Sequence, residues 1–252
     1  MFGLRNQSGS CWVNATLQAV FRIPEVQVRY TESELAPINP IDASLHEIWS
    51  TQGDEGLKDF YACVKTAVMP AGEGIGDSHE LLAFLCDKLP YLDSLLRFKV
   101  GNKVTCNACK HSSTVVDSLV EFSISPSGRG QTLVENVGHA VTPTVVPDWT
   151  CDTCKGKGCT KQLLMSTFPD IFAFHITSLK SSVSYSPVLI LNGFKYGLLS
   201  IVCWNGGHWW TYGRTMGGEW AEYDDSNVRT HGKTKFPLSD NVRLLFYYRI
   251  KE

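Results

Sequence analysis

Long apolar runs, an excess of charge of one sign and an N-terminal leader are all missing from this sequence of 252 residues. No run approaches the roughly 18 apolar residues that a membrane span needs, and residues 1–10 lack the apolar core of a signal peptide. The formal net charge of −2 provides no basic surface for nucleic acid. We therefore expect a monomeric cytoplasmic protein, or a domain cut from a longer chain, with no membrane span and no nucleic-acid partner.

Internal repeats and low-complexity tracts are also missing, and the pattern of apolar residues changes once along the chain. Helical spacing within residues 1–92 predicts helices at 11–22, 42–51, 55–68 and 77–90, the last with Asp77 as N-cap and Glu80 completing a capping box. Alternation after about residue 98 predicts strands around 120–124 and at 171–179, 196–204, 208–214 and 242–250. Residues 125–150, rich in Gly, Pro, Ser and Thr, predict a long loop or irregular hairpin. Helices followed by strands predict an α+β fold.

Nine cysteines are present, but the odd number and the missing leader argue against a disulfide scaffold. Four of them form two C-x-x-C pairs, Cys106 with Cys109 and Cys151 with Cys154. Two such turns can fill the four corners of a tetrahedral zinc site. The alternatives are free thiols in hairpin turns, disulfides within each pair, or Cys159 replacing Cys154 as the fourth ligand. A closed four-sulfur site leaves no open position for chemistry, so this zinc would be structural.

Cys11 lies at the start of the first predicted helix, where backbone N–H groups and the helix dipole favour a thiolate. Such a nucleophile needs a base, and His208, which follows two glycines and precedes a predicted strand, is the best candidate. A carboxylate at the end of the next strand, in 220–228, is expected to accept the Nδ1–H of His208 and fix its tautomer. We interpret the other histidines as structural: His46 and His79 on helices, His111 near the first C-x-x-C, His175 in a strand, and His139 and His231 in loops.

Six stretches carry motifs in a fixed order: GLRNQSGSCWVNATLQAV at 3–20, GDSHELLAFLCDKL at 76–89, the stretches 106–126 and 151–176 that begin at the cysteine pairs, YGLLSIVCWNGGHWWTYGR at 196–214 and EWAEYDDSNV at 219–228. Together they resemble the ubiquitin-specific protease family of papain-like cysteine proteases, over nearly the whole chain. The resemblance implies a thumb–palm–fingers architecture: a helical N-terminal thumb at 1–97, zinc-ribbon fingers at 98–165 and a β-rich palm at 166–252.

The resemblance also implies roles for individual residues. Cys11 would be the nucleophile and His208 the base, while Asp224 falls on the triad position with Asp225 beside it. Asn6 falls where the family has a polar residue of the oxyanion hole. Asp77 and Glu80 fall on an acidic pair that binds the basic tail of ubiquitin, and Trp209 is expected to wall the channel for the Gly-Gly end, together with Trp12 and Trp210, although a core position is the default for Trp12.

The sequence departs from the family pattern in three ways. The glycine before the nucleophile is displaced by one position, in Ser8-Gly9, so the backbone of that loop is expected to differ. An aromatic that is commonly Tyr is Trp209. The chain is short for the family, so surface loops and a ubiquitin-gripping insertion are expected to be missing, and the short stretch before Cys11 suggests a processed or trimmed chain.

Several other functions compete with a deubiquitinase. The stretch CWVN also resembles the papain-like proteases of nidoviruses, so one alternative is a viral or other pathogen protease, acting in the host cytoplasm, that mainly cleaves a polyprotein. Another is a protease for a different ubiquitin-like modifier. A zinc-dependent binding module is disfavoured because all three triad residue types are present, and a metalloenzyme is disfavoured because no H-E-x-x-H motif occurs.

Overall fold

The computed structural model describes residues 1–32, 35–53, 55–69, 74–126, 130–178, 183–233 and 236–251. The first part of the chain is helical and most of the strands follow it. The helices are α1 (Cys11–Val20), α2 (Pro24–Thr31), α3 (Pro40–Ser50), α4 (Leu57–Val68), α5 (Ser78–Lys88), α6 (Pro90–Leu96) and α7 (Leu133–Val141). None of the helices in these ranges is both long and apolar enough to cross a bilayer.

Three helices were not predicted. The sequence predicts only that Pro24 and Pro90 end the helices before them, but each proline also occupies the first turn of a new helix, α2 and α6. Proline suits that position because its missing N–H would have no partner there. The helix α7 lies inside the loop predicted for 125–150, so that prediction was wrong. Thr132 and Glu135 form a reciprocal capping box that starts this helix.

The strands form two sheets in the described ranges. A four-stranded sheet has the order β2-β1-β5-β4 and an eight-stranded sheet has the order β11-β10-β9-β8-β12-β6-β3, with β7 paired to β8. The strands are β1 (Phe98–Cys106), β2 (Ser112–Leu119), β3 (Phe122–Ile124), β4 (Thr144–Thr150), β5 (Lys157–Met165), β6 (Ile171–Ile176), β7 (Val188–Leu191), β8 (Phe194–Trp204), β9 (Trp209–Arg214), β10 (Trp220–Asp224), β11 (Asn227–Gly232) and β12 (Val242–Arg249). The end of the strand predicted at 171–179 lies outside the described residues.

The central strands of the large sheet are buried on both faces, and the alternation of side chains along them explains how. In β6, Ile171 and Ala173 belong to a core shared with the helices, whereas Phe172 and Phe174 belong to a second core on the opposite face. All ten residues of α1 are buried. The helical layer therefore packs on one face of this sheet, with α1 wedged between them.

Candidate active site

The helix α1 begins at Cys11, as predicted, and its first turn surrounds the thiol with backbone donors. The N–H of Gln7 donates to Ser10 Oγ over 2.7 Å, which holds the preceding turn closed. Ser8 and Gly9 both have positive φ angles, of 56° and 98°. The displaced glycine therefore lies in a turn with two successive left-handed residues, a conformation that costs a serine energy but not a glycine.

Burial raises the pKa of the Cys11 thiol, and the charge of Asp225 acts in the same direction. The backbone N–H groups of Trp209, Trp12 and Cys11 itself lower the pKa but do not outweigh burial. The expectation that the helix start alone favours a thiolate is therefore not met. The N–H of Trp209 belongs to the peptide bond between His208 and Trp209. The thiol of Cys11 therefore lies beside the backbone of the candidate base.

His208 lies directly before β9 and Asp224 ends the adjacent antiparallel strand β10. The His208 Nε2 and Asp224 Oδ1 atoms are 2.6 Å apart, and both side chains are partly exposed. The prediction that a carboxylate would hold Nδ1 was wrong. Because Nε2 faces Asp224, the neutral ring carries its proton there and presents the lone pair of Nδ1 for proton transfer.

Asp225 connects the turn before Cys11 to the end of β10. Its Oδ2 accepts from Asn6 Nδ2 over 2.8 Å, and its Oδ1 accepts from Asn14 Nδ2 over 2.7 Å. Asn6 Oδ1 in turn accepts from the N–H groups of Gly9 and Ser10. These contacts use one of the two amide hydrogens of Asn6 and fix the plane of its side chain.

The N-terminal segment packs against this same turn. Leu4 N–H donates to the carbonyl of Asp225 over 2.9 Å, and Asn14 Nδ2 donates to the carbonyl of Leu4 over 3.0 Å. A Cβ at Gly3 would lie 2.4 Å from the carbonyl oxygen of Ser226. Only a glycine lets the segment approach the turn this closely.

The residues assigned to substrate binding lie in different environments. Asp77 caps α5 by accepting from the N–H of His79 over 2.9 Å, and Glu80 is exposed. The predicted capping box is not formed in the described contacts, since no bond from Glu80 back to Asp77 is found. Trp209 is buried and packs at 4.9 Å on Trp204. Its indole is therefore part of the core, like that of Trp12.

The four cysteines of the C-x-x-C pairs converge at the tip of the small sheet. Their sulfur atoms lie within 4.8 Å of one another, with Cys106 Sγ 3.7 Å from Cys154 Sγ and Cys109 Sγ 3.8 Å from Cys151 Sγ. A tetrahedral site with Zn–S bonds of about 2.3 Å requires S–S distances of about 3.8 Å. The donor set therefore fits zinc and is too open for disulfides. Cys159, the alternative ligand, is buried in β5 and is not part of this cluster.

The two cysteine turns have the same backbone geometry. Lys110 N–H donates to the carbonyl of Cys106, and Lys155 N–H donates to the carbonyl of Cys151. Both lysines have positive φ angles, of 61° and 59°. Two copies of one turn facing each other are what a metal site with four equivalent ligands requires.

A buried cluster of two histidines and one glutamate escaped prediction. Glu121 Oε1 lies 2.5 Å from His79 Nδ1 and 3.3 Å from His175 Nδ1, and the two rings stack at 4.2 Å with an angle of 15°. A metal ion cannot lie in the planes of two stacked rings at once, so this is an ion-pair cluster. Its members come from α5, from the segment before β3 and from β6, and no local pattern in the sequence connects them.

His139 and His231 were expected in loops but lie in α7 and β11.

A thiol, an imidazole and a carboxylate at one end of a helix–sheet interface are the side chains of a cysteine hydrolase. Comparison with known proteins agrees with this class. The family model described as ubiquitin carboxyl-terminal hydrolase matches residues 2–247. The chain therefore belongs to the ubiquitin carboxyl-terminal hydrolase family of cysteine peptidases, as the six sequence motifs indicated.

The curated relatives that it matches are much longer proteins. Ubiquitin carboxyl-terminal hydrolase 36 of Drosophila pseudoobscura pseudoobscura is 24% identical over 309 residues, which cover 97% of this chain and 29% of that protein. Ubiquitin carboxyl-terminal hydrolase 4 of Eremothecium gossypii is 24% identical over 211 residues, which cover 66% of this chain and 24% of that protein. The similarity therefore concerns a part of each relative.

Solved structures share the fold. The SAGA DUB module of Ubp8, Sgf11, Sus1 and Sgf73 bound to monoubiquitin aligns with a TM-score of 0.85 and 17% identity, over 100% of this chain and 69% of the matched chain. The same module bound to ubiquitin aldehyde aligns with a TM-score of 0.84 and 17% identity, over 100% and 70%. The predicted α+β architecture, with a helical part, a β-rich part and a zinc-ribbon cysteine cluster, is confirmed.

Proposed function

We propose that this chain is a deubiquitinase that hydrolyses the peptide or isopeptide bond after the C-terminal Gly-Gly of ubiquitin. The observation that carries this proposal is the meeting of Cys11, His208 and Asp224 at one end of the α1–sheet interface, within a fold of the ubiquitin carboxyl-terminal hydrolase family. These residues come from three separate places in the chain, since Cys11 starts α1, His208 precedes β9 and Asp224 ends β10.

In the proposed reaction, His208 acts first as a base toward Cys11 and then as an acid toward the leaving amine. Burial raises the pKa of the Cys11 thiol, so we assign to His208 Nδ1 the removal of its proton as the sulfur attacks the glycine carbonyl. Asp224 stabilises the imidazolium through Nε2. The imidazolium then gives its proton to the departing lysine amine, which leaves a thioester on Cys11. Water, deprotonated by His208, hydrolyses the thioester and restores the thiol.

Charge that develops on the carbonyl oxygen needs donors. We assign this role to the second amide hydrogen of Asn6 and to the backbone N–H of Cys11, since each such donor contributes about 3 kcal/mol in comparable sites. Asp225 is then a positioning residue because it holds Asn6 over 2.8 Å. The hydrogen bonds that Asn6 Oδ1 accepts from Gly9 and Ser10 keep its amide nitrogen on the same side as Asp225.

Substrate choice rests on charge and on a narrow channel. Asp77 and Glu80 offer carboxylates at the start of α5 to the basic tail of ubiquitin. Of the Trp residues expected to wall the channel, Trp210 is partly exposed and stacks with His208 at 6.4 Å, so it is better placed than the buried Trp209. Ubiquitin is supported as substrate by the solved structures that share this fold, two of which contain ubiquitin or ubiquitin aldehyde.

Zinc on Cys106, Cys109, Cys151 and Cys154 would supply structure and no chemistry, because four thiolates fill its coordination. We propose that it stabilises the tip of fingers formed by 98–165, between a thumb of 1–97 and a palm of 166–252. One segment crosses these limits: β3 pairs in parallel with β6 and so lies in the palm sheet. A monomeric state and a cytoplasmic location are part of the same proposal.

Ubiquitin with a C-terminal alkyne electrophile tests the function directly. The wild-type protein should gain the mass of one ubiquitin, and Cys11→Ala should gain nothing. Cys63→Ala is the matched control, since Cys63 is an exposed free thiol in α4, and it should react like wild type. A lack of adduct with every modifier tested, or an adduct that persists in Cys11→Ala, would refute the protease proposal. Reaction with only another modifier would refute ubiquitin as substrate.

A further inference from the structure

A pocket of about 500 Å³ lies beyond the C-terminal end of α1, away from Cys11. Ten residues of helix separate the two sites, which corresponds to about 15 Å. The pocket is lined by the connection between α1 and α2, by α2 itself, and by the end of β9 with the turn that follows it, among them Arg22, Val28, Arg214 and Met216. Its size is typical of a cleft that takes a ligand.

Arg22 is a buried cation with no anionic partner. It is 5% exposed, its cation–π contact and its side-chain hydrogen bond both go to Tyr223, and the phenol of Tyr223 is neutral. Arg22 Nε is buried and has no hydrogen-bond partner in the described ranges, and no ion pair with Arg22 is found there. Space for the side chain is created by Gly213, where a Cβ would lie 2.7 Å from Arg22 Cγ. Since an unpaired buried charge is costly, this arginine requires an explanation.

Arg214 brings a second guanidinium to the same pocket. It lies over the ring of Trp220 at 5.2 Å, and its Nε is also buried without a hydrogen-bond partner among the residues that the structure describes. Glu32 is the carboxylate on the lining, but it is exposed and forms no ion pair with either arginine in those ranges. Two guanidinium groups without an ion-pair partner in those ranges favour a carboxylate, which matches the planar guanidinium and would bind its terminal Nη–H groups, since the Nε atoms are buried.

The rim of the pocket is apolar and extends beyond it. Val28 is 53% exposed and Met216 is 82% exposed, Pro24 is exposed beside them, and the buried Leu199 continues the apolar lining inward. Apolar surface that is left open beside a charged pocket marks an interaction site, and a methionine adapts its shape to different partners. Contact area outside the cavity fits a chain segment better than a small molecule.

We propose that this pocket docks a peptide segment of another protein that carries an Asp or Glu carboxylate beside a large apolar side chain. The carboxylate would accept from Arg22 and Arg214, and the apolar side chain would contact Val28 and Met216. This inference is independent of the proposed function. The pocket is also connected to the active-site end of the sheet. Arg22 donates a hydrogen bond to Tyr223, and Tyr223 directly precedes Asp224 in the sequence.

Titration of the full ¹⁵N-labelled chain with acetyl-Leu-Glu-Leu-amide tests the proposal, with acetyl-Leu-Gln-Leu-amide as the matched neutral peptide. The Glu peptide should shift the Nε–H signals of Arg22 and Arg214 and bind about tenfold more tightly than the Gln peptide, because a hydrogen bond to a charged group is worth about 1.5–3 kcal/mol. Arg214→Gln should weaken the Glu peptide about tenfold while leaving the Gln peptide unchanged.

Arg249→Gln is the control variant. Arg249 also lies over an aromatic ring, at 3.8 Å from the centre of Phe194, but it is not part of the pocket, so the Glu peptide should bind this variant as it binds wild type. Arg22→Gln is avoided because a buried position can fail to fold. Equal binding of the two peptides, or no effect of Arg214→Gln, would overturn the proposal. It would also fail if inorganic phosphate shifted both Nε–H signals while neither peptide did.

Discussion

Replacing Glu121 by glutamine removes the carboxylate that His79 and His175 share. The Glu121 side chain is 9% exposed, and its Oε1 lies 2.5 Å from His79 Nδ1. The cluster joins helix α5 to strand β6 through the segment before β3, so it connects the helical layer to the large sheet. The substitution keeps the shape of the side chain and leaves His79 without its anion.

The cost follows from burial. Breaking a buried ion pair by removing one partner costs about 3–5 kcal/mol. Because His79 is 34% exposed, water screens part of its charge, and we expect about 2 kcal/mol. For a chain of this size that loss corresponds to a decrease in Tm of about 4–8 °C.

The pKa shifts of His79 and Glu121 set the direction in which the stability of this cluster depends on pH. The hydrogen bond to Glu121 raises the pKa of His79 above its ordinary 6.5. Burial acts to raise the pKa of Glu121, but His175 and His79 outweigh it and lower the pKa below its ordinary 4.5. The contribution of His79 to the free energy of unfolding is complete below pH 6.5 and is lost as the pH rises through the raised pKa of His79. The contribution of Glu121 to the same free energy is complete above pH 4.5 and is lost as the pH falls through the lowered pKa of Glu121.

Urea unfolding of wild type and Glu121→Gln between pH 6 and pH 9.5, with zinc present, measures this difference. The wild type should be more stable than Glu121→Gln by about 2 kcal/mol at pH 6. This difference in the free energy of unfolding should narrow as the pH rises. Glu55→Gln is the control, since Glu55 is exposed and forms no ion pair in the described ranges. A gap that is constant with pH, or that widens toward pH 9.5, would show that His79 is not charged in the folded protein.

Three further predictions concern the active site and the zinc cluster. Asp224→Asn should lower kcat/KM on a fluorogenic ubiquitin amide by at least about 100-fold, and more than Asp225→Asn does, because Asp224 holds the His208 ring directly; equal losses would contradict this assignment. Gly3→Ala should lower kcat/KM about tenfold with zinc retained, since its Cβ would collide with Ser226 at 2.4 Å and shift a turn that must be placed to within about 1 Å; unchanged kinetics would show that the N-terminal segment does not position this turn. Cys109→Ala should lose zinc in native mass spectrometry and unfold at a lower temperature, and a variant that kept both would exclude a structural zinc.

The features that the sequence predicted well are those with local signals. Cys11 follows a turn and precedes an apolar periodicity, and His208 and Asp224 lie at the ends of two strands separated by a short connection. The C-x-x-C turns predict their own geometry. Such signals need only a few neighbouring residues, so they do not depend on the rest of the fold.

The features that it missed depend on tertiary contacts. The contact between His208 Nε2 and Asp224 depends on how the ring is oriented between two paired strands, and the pKa of Cys11 depends mainly on how deeply the thiol is buried. Glu121 is far from both His79 and His175 in the chain. The unpredicted helices α2, α6 and α7 differ in this respect, since Pro24, Pro90 and the capping box at Thr132 are local signals in the sequence.

Because all ten residues of α1 are buried, this helix cannot be fully covered until most of the chain has been synthesised. This helix is synthesised early, but two of its hydrogen-bond partners come from residues near the end of the chain. Thr211 donates to the carbonyl of Ala15 over 2.7 Å, and Asp225 accepts from Asn14. At ordinary rates of translation, about 10–40 s separate Cys11 from these partners. Until then the apolar helix has no sheet to cover it and its thiol has no base. Until β9 and β10 have been made, the nascent chain therefore exposes the apolar surface of this helix, the kind of surface that chaperones bind.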